Sequence, residues 1–265
     1  MSTVQQEKAA AFRALHEGGA FVVPNPWDAG SARVFEALGF EALATTSSGF
    51  AFTLGRPDGG VTLDELAAHV EALDRATGLP VSVDLENGYG DDAEGVAAAI
   101  TVIAEAGAVG ASIEDFDRES GIYPLDRAVE RLTAAAEAAA RLGFEFTLTG
   151  RAENHIRGNP DLNDTIARLQ AYEEAGADVL YAPGLRSVEE IRAVSGSVSR
   201  PLNVLARPNL SLAEVVAAGA QRVSVGGALA WAAAGALASA AARIRDDGDF
   251  SAAFAPTEVP GWPVG

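Results

Sequence analysis

Short apolar and β-branched runs recur along the chain, each followed by a polar or glycine-containing loop and an alanine-rich stretch with helical periodicity. Such runs are typical of buried strands, and apolar residues spaced at three and four positions are typical of amphipathic helices. The pattern predicts strands at 20–24, 42–46, 80–84, 109–113, 145–149, 178–182, 201–205 and 222–225. It predicts helices at 28–38, 62–77, 92–106, 125–142, 161–175, 187–195, 211–218 and 228–246, with an additional helix at about 5–17.

Residues that start and stop helices support these boundaries. Thr62, Ser187 and Ser211 each precede a glutamate by three positions, which is the capping-box spacing. Glycines that follow an alanine or leucine fit the position just beyond a helix, where the backbone turns left-handed. These glycines are Gly39, Gly107, Gly143, Gly176 and Gly219.

Eight consecutive strand and helix units favour a closed parallel barrel, and the absence of a dinucleotide-binding fingerprint argues against a doubly wound sheet. We therefore expect an α/β fold, a single (β/α)8 TIM barrel with an N-terminal helix and a C-terminal helix plus arm. One domain is expected over 1–265, with the barrel at about 18–246 and a Pro-rich arm at 247–265. A chain of 265 residues that is 48% hydrophobic can bury one large core.

Charge and cysteine content limit the classes of function. A formal net charge of −18 disfavours nucleic acid or an anionic membrane as partner, because both require clustered Lys and Arg. The chain has no cysteine, which excludes disulfides, thiolate nucleophiles and Cys-bound zinc. Any metal must therefore be held by oxygen or imidazole. The chain has no long apolar run and no secretory pattern at its start, so a cytoplasmic location is expected.

Carboxylates follow two neighbouring strands of the predicted barrel, at the end where barrel enzymes place their chemistry. Asp84 and Glu86 follow the third strand, and Glu114 and Asp115 follow the fourth. Asp58 lies further along the loop after the second strand. Oxygen ligands alone suit Mg²⁺, with Mn²⁺ as an alternative, and a cation would relieve the repulsion within such a cluster. The other interpretation is that some of these residues cap helices or pair with arginine.

Arg151 comes directly after the fifth strand, in the segment GRAENH. A guanidinium can hold a substrate carboxylate with two hydrogen bonds, and it stays charged. The alternative is a structural ion pair with Glu153 or Glu114, and such a pair could also orient Arg151 toward a ligand.

The segment Thr45–Gly49 offers a row of hydroxyls and backbone N–H groups that could cradle a carboxylate, although Ser and Thr are also ordinary loop residues. Among the histidines, His16 and His69 fall in predicted helices away from the barrel mouth and are expected at the surface. His155 is the one candidate acid or base, with a solvated loop histidine as the favoured interpretation.

Four segments, taken in order, resemble the isocitrate lyase and phosphoenolpyruvate mutase superfamily. They are PNPWDAGSARVFEALGFEALATTSSGFAFTLGRPDGG, VSVDLENGYG, ASIED and TGRAEN, and the resemblance extends over about 12–245. It implies a Mg²⁺-dependent barrel that cleaves or forms C–C or P–C bonds next to a carboxylate, through the enolate of a 2-oxo acid. It also implies a homo-oligomer, a dimer or a homotetramer.

The resemblance also implies roles for individual residues. Asp84 would be the direct metal ligand, and Asp58, Glu86 and Glu114 would hold the waters of the metal. The carboxylate of the 2-oxo acid would bind at the segment that contains Thr46, Ser47 and Ser48. Arg151 would neutralise the developing enolate, Glu114 would also belong to the catalytic residues, and Asn203 would line the pocket.

One segment departs from the pattern of the lyases. Isocitrate and methylisocitrate lyases carry a Lys-Lys/Arg-Cys-Gly-His loop after the fourth strand, whereas this chain has DFDRESGIYPLDRAVERL there. Tyr123 in this segment is a candidate replacement acid, and a buried structural tyrosine is the other interpretation. The sequence predicts a C–C lyase acting on a 2-oxo or 2-hydroxy carboxylate. The alternatives are a phosphonopyruvate-type P–C mutase or hydrolase, and a 2-oxo-acid binding protein without turnover.

Overall fold

Eight parallel strands form a nearly closed barrel in the computed structural model, which describes residues 2–90, 92–254 and 259–260. In chain order the barrel strands are β1 (Phe21–Val23), β2 (Leu43–Ala44), β3 (Val81–Asp84), β4 (Gly110–Glu114), β7 (Thr147–Arg151), β8 (Val179–Tyr181), β9 (Leu202–Leu205) and β10 (Ala220–Ser224). Two short antiparallel strands, β5 (Phe116–Asp117) and β6 (Gly121–Ile122), form a hairpin after β4. The predicted (β/α)8 barrel is confirmed, whereas the hairpin was not predicted.

The strand order around the barrel is β1-β10-β9-β8-β7-β4-β3-β2. β1 and β2 close the barrel through single hydrogen bonds rather than a paired ladder. The N–H of Ala44 donates to the carbonyl of Pro24 at 3.1 Å, and Asn25 Nδ2 donates to the carbonyl of Thr45 at 3.0 Å. Asn25 Oδ1 also accepts from the backbone N–H groups of Val225 and Gly226, so one carboxamide joins three parts of the barrel mouth.

Helices connect the strands and cover the outside of the barrel. They are α1 (Thr3–Glu17), α2 (Ala29–Ala37), α3 (Ser47–Thr53), α4 (Leu63–Ala76), α5 (Ala93–Glu105), α6 (Leu125–Ala140), α7 (Leu162–Glu174), α8 (Val188–Ser195), α9 (Leu212–Ala217) and α10 (Ala228–Asp247). Nine of these ten match predicted helices to within a few residues, and α3 was not predicted. Part of the predicted C-terminal arm, 255–258 and 261–265, lies outside the described residues. No helix of the described part of the chain has the length and apolarity needed to cross a bilayer.

The predicted helix boundaries have the expected local geometry. Thr62 and Ser211 form capping boxes with Glu65 and Glu214, and Ser187 accepts the N–H of Glu190. The five glycines predicted to end helices all have positive φ, from 78° at Gly143 to 110° at Gly107. At Gly107 a side chain would also meet Asp74, so this position requires glycine on two grounds.

Two histidines expected at the surface are buried, and that expectation is wrong. His16 lies at the inner end of α1, where its ring packs edge-on against Phe12 and Phe21 at 4.8 and 5.1 Å. His69 stacks on Phe50 at 3.9 Å. His16 is buried where α1 meets Arg222 of β10, and His69 is buried where α4 packs against the unpredicted α3.

Candidate active site

A polar cavity of about 200 Å³ opens at the carboxyl ends of the barrel strands. Its wall includes several residues that the sequence analysis selected, namely Thr46, Ser47, Ser48, Asp84, Arg151 and Asn203. Asp58 also contributes to the wall, from the loop between α3 and α4. Glu86, Glu114 and Tyr123 do not line this cavity, although Glu86 and Glu114 lie beside it.

Arg151 ends strand β7 and lies between carboxylates from two neighbouring strands. Its Nη1 is 3.2 Å from Glu114 Oε2 and 3.4 Å from Asp84 Oδ1. Its Nε donates to Oε1 of the fully buried Glu153 at 2.6 Å. Burial by itself lowers the pKa of Arg151, but the carboxylates outweigh burial and raise this pKa above its ordinary value. Both ion pairs considered for Arg151 are thus present, and Arg151 also faces the cavity.

Asp84 is held at the end of β3 by groups from the segment after β2. Thr45 Oγ1 accepts the N–H of Asp84 at 2.9 Å, and the N–H of Ser47 donates to Asp84 Oδ2 at 3.2 Å. Thr46 caps α3 by accepting the N–H of Gly49. The segment expected to be a free loop is therefore a helix start, and one of its N–H groups already binds Asp84.

Glu86 and Tyr89 flank a strained turn beside the cavity. Both have left-handed backbone angles, with φ of 46° and 56°, which non-glycine residues seldom adopt. The Tyr89 hydroxyl donates to Glu86 Oε1 at 2.9 Å. Burial and then the Asp84 carboxylate raise the pKa of Glu86 to about 7.

Glu114 is buried at the end of β4, and burial raises its pKa although Arg151 opposes the shift. Its backbone N–H donates to the carbonyl of Glu86 at 2.8 Å, which joins the ends of β3 and β4. Asp58 is more exposed and forms an ion pair with Arg118 of the hairpin loop, at 3.2 Å.

The donor chemistry of these carboxylates fits a hard divalent cation. Among the described residues, no three His, Asp or Glu side chains form a ready set of direct metal ligands. Mg²⁺ commonly takes one or two direct carboxylates and keeps several waters, so a sparser arrangement around Asp84 suits it. The raised pKa values of Glu86 and Glu114 reflect crowded, buried carboxylates, and a bound cation would remove that cost.

Tyr123 lies behind the cavity wall and does not line the cavity, so its position gives no support to the candidate role as an acid. Its side chain is buried, and its hydroxyl accepts from Asn87 Nδ2 at 3.1 Å. The guanidiniums of Arg127 and Arg131 cover its ring at 4.4 and 5.0 Å. The interpretation as a buried structural tyrosine agrees with this environment.

His155, expected as a solvated loop histidine, is buried, and that expectation is wrong. Its Nε2 is 3.7 Å from Glu190 Oε1, and its ring lies against Gly184, where a side chain would clash with it. The loops after β7 and β8 enclose the ring, which a single loop sequence does not reveal.

The floor of the cavity contains residues that the sequence analysis did not select. Arg222, on β10, is buried there, and Ser82, Ser112 and Ser224 also contribute to the wall. Asn203 Oδ1 accepts from Arg222 Nε at 2.9 Å, and Asn203 Nδ2 donates to Ser224 Oγ at 3.0 Å. The alternation of inward and outward residues in AQRVS was the signal that could have identified Arg222.

Comparison with known proteins gives a match to one family over almost the whole barrel. The sequence model of the phosphoenolpyruvate phosphomutase family matches residues 12–245. The 2-methylisocitrate lyase of Halalkalibacterium halodurans is 35% identical over 202 residues, which cover 75% of this chain and 67% of that protein.

Solved structures share the fold. The crystal structure of a putative lyase/mutase from Burkholderia cenocepacia J2315 superposes with a TM-score of 0.94 at 53% identity, covering 97% of this chain and 94% of that one. A phosphonopyruvate hydrolase in complex with oxalate and Mg²⁺ superposes with a TM-score of 0.85 at 26% identity, covering 94% and 92% of the two chains.

Proposed function

The chain belongs to the isocitrate lyase and phosphoenolpyruvate mutase superfamily, and from this membership we propose that it is a Mg²⁺-dependent lyase that cleaves or forms a C–C bond next to a 2-oxo acid, by way of an enolate. The relative that is a 2-methylisocitrate lyase supports the C–C chemistry. The substrate class is a small 2-oxo or 2-hydroxy carboxylate.

The observation that carries this proposal is the position of Arg151 at the cavity wall, between Asp84 and Glu114. The strongly acidic chain repels an anion at long range, so binding one requires local positive charge. Arg151 supplies such charge together with the cation held at Asp84, and a preorganised cation stabilises developing negative charge well. Glu153 fixes the guanidinium through its Nε, and Glu114 and Asp84 orient it through Nη1.

Asp84 would hold Mg²⁺ directly, and Asp58, Glu86 and Glu114 would hold its waters. When bound, the cation supplies Lewis-acid stabilisation of negative charge on the substrate oxygens. The phosphonopyruvate hydrolase bound to oxalate and Mg²⁺ shows this combination of ligand and cation in a related fold.

The substrate carboxylate would bind along the start of α3. Thr46, Ser47 and Ser48 all line the cavity there. The Ser47 hydroxyl has no hydrogen-bond partner within the described part of the chain, so it is available as a donor. Asn203 lines the opposite side, where its amide is oriented by Arg222 and Ser224.

Cleavage or hydrolysis of a P–C bond is the second candidate, since the matching family model is that of phosphoenolpyruvate phosphomutase and a phosphonopyruvate hydrolase shares the fold. Both chemistries use an oxo acid gripped beside a cation, so the cavity serves either. A 2-oxo-acid binding protein without turnover is the remaining outcome.

The test is incubation of the full chain with Mg²⁺ and a panel of 2-oxo and 2-hydroxy di- and tricarboxylates. We expect release of pyruvate, glyoxylate, oxaloacetate or a similar fragment, and loss of release with EDTA or in Arg151→Gln. Phosphorus NMR with phosphonopyruvate separates the second candidate, because its P–C signal must disappear. If neither assay detects turnover, and calorimetry shows Mg²⁺-dependent binding of a 2-oxo acid, the chain has a binding function and is not a lyase.

A further inference from the structure

Below Asp84 and Arg151, the interior of the barrel is lined by small and polar side chains and contains open space. Many barrels fill this level with bulky branched side chains. Here the corresponding strands place Ser82 and Ser112 at the cavity, opposite Asn203 and Arg222. The cavity therefore continues downward from the mouth until it meets a buried guanidinium.

Arg222 has only neutral partners in the described part of the chain. Its Nε donates to Asn203 Oδ1 at 2.9 Å, its Nη2 donates to Thr149 Oγ1 at 3.0 Å, and its Nη1 lies 3.2 Å from His16 Nε2. His16 Nδ1 contacts the carbonyl of Phe12 at 2.8 Å, so Nδ1 carries the proton and Nε2 accepts from Arg222. Burial lowers the pKa of Arg222 to about 10, which still leaves the guanidinium charged at neutral pH.

A buried charge without a counter-ion is costly, and removing a counter-ion from a buried pair is strongly destabilising. A guanidinium has five N–H donors, and Arg222 spends three of them on the protein. The remaining donors belong to a residue that lines the cavity. The floor thus offers positive charge and free donors to whatever enters.

Two hydroxyls on the same floor are also free. Ser82 Oγ and Ser112 Oγ have no hydrogen-bond partner among the described residues, although both residues line the cavity. They come from neighbouring strands, since Ser82 pairs with Gly110 and Asp84 with Ser112 in the β3–β4 register. Together with Arg222 they form three donors, from three strands, around one small space.

We propose that Arg222, Ser82 and Ser112 form a second carboxylate-binding subsite at the floor of the cavity, below Arg151 and the start of α3, where the first carboxylate would bind. The two levels are one side-chain step apart, because Thr149 contacts Arg222 and Arg151 follows it by two residues on β7. Two residues of a strand advance by about 6.6 Å, which matches the length of a four-carbon diacid. The extension to a dicarboxylate substrate rests on the proposed function, whereas the subsite itself does not.

The test compares two probes that differ by one carboxylate, malate and 2-hydroxybutanoate, by calorimetry in Mg²⁺ buffer. The full chain is expected to bind malate about 10- to 100-fold more tightly, as a charge-assisted hydrogen bond to a buried donor predicts. Arg222→Gln should bring this ratio close to one. The carboxylate at the floor could belong to the same substrate molecule or to a second one. Adding acetate to the 2-hydroxybutanoate complex tests the second case, because acetate would then bind at the floor as a separate ligand.

The variant Ser82→Ala/Ser112→Ala keeps the test decisive if Arg222→Gln does not fold. Neither hydroxyl bonds to the protein, so their loss should leave the melting temperature unchanged while it lowers the malate preference severalfold. Ser197→Ala, outside the cavity, is the matched control and should preserve the preference. Two results would overturn the subsite. One is equal affinity of the unmodified chain for both probes with no binding of acetate as a second ligand. The other is a malate preference that survives the double serine change. Failure of the lyase proposal is separate, since it shows as absent turnover with the binding ratio intact.

Discussion

Asp115 Oδ1 accepts the backbone N–H of Glu153 at 2.8 Å, and this bond ties the end of β4 to the segment that carries Arg151. The other oxygen of Asp115 accepts from Arg168 Nη1 at 2.9 Å and from the Tyr172 hydroxyl at 2.5 Å. All of these side chains are buried. Asp115 therefore acts on the site through Glu153, which in turn holds Arg151.

Asp115→Asn should destabilise the chain by about 3 kcal/mol, because it removes the buried counter-ion of Arg168 and leaves only the more exposed Asp164. The NH₂ group of the new asparagine would also face the N–H of Arg168 and the hydroxyl of Tyr172, which are themselves donors. Urea unfolding measures the loss. Tyr172→Phe is the control, since it removes one hydrogen bond and should cost about 1 kcal/mol. Equal losses in the two variants would show that the ion pair contributes little.

Arg151→Lys should lower kcat by about 10²- to 10³-fold, the scale expected for loss of one preorganised donor to a developing oxyanion. Lysine keeps the charge but cannot hold Glu114, Asp84 and Glu153 at once. Arg157→Lys is the matched control, because Arg157 also binds Glu153, at 2.7 Å, but does not line the cavity. Rates are measured with whichever substrate the panel identifies. Similar losses in both variants would indicate a structural role for Arg151.

Much of the fold follows from local rules, and the physical reason is that the relevant groups are neighbours in sequence. Thr62 and Ser211 cap helices through residues three positions away, and Gly107 or Gly143 end helices by their own backbone angles. These features need no tertiary information. The short helix α3 was missed because seven residues containing Ser47, Ser48 and Gly49 have a weak helical pattern, and its start is stabilised from β3 by Asp84.

The candidate site was predictable only where its residues end strands. Asp84, Glu114 and Arg151 were found because strand ends mark the mouth of a barrel. Arg222 lies in the middle of a strand, so the rule about strand ends did not select it. Its position in the cavity depends on contacts with Asn203 of β9 and His16 of α1, which are distant in sequence. The roles of these residues in metal and substrate binding stay predictions.

The burial of His16 predicts a specific pH dependence of stability. Burial, and then the charge of Arg222, lower the pKa of His16 from 6.5 to about 3 in the folded chain. Between these values the unfolded chain binds a proton that the folded chain does not, so this residue makes the free energy of unfolding fall as the pH falls below 6.5. The slope from one such group is about 1.4 kcal/mol per pH unit.

His16→Gln should remove that slope, since glutamine does not titrate and can accept from Arg222. Urea unfolding of both proteins between pH 7 and pH 5 measures the difference, in which all other titrating groups cancel. His69 contributes in the same direction, with its pKa lowered to about 4 by burial, and it is unchanged in both proteins. Parallel stability curves would contradict the neutral, buried state of His16.

The C-terminal helix α10 predicts assembly into a homo-oligomer. It has 20 residues, and only Ala230 is buried. Leu229, Trp231 and Leu237 are exposed by 38%, 53% and 69%, and helices of this kind gain most of their stability from packing of an apolar face. Sedimentation should therefore give a species larger than the 27.2 kDa chain. Leu237→Glu should shift it toward the monomer, because a charge would be buried in the contact. Val4→Glu on α1, where Val4 is 59% exposed, is the control and should leave the mass unchanged. A monomer for the unmodified chain at micromolar concentration would refute the assembly.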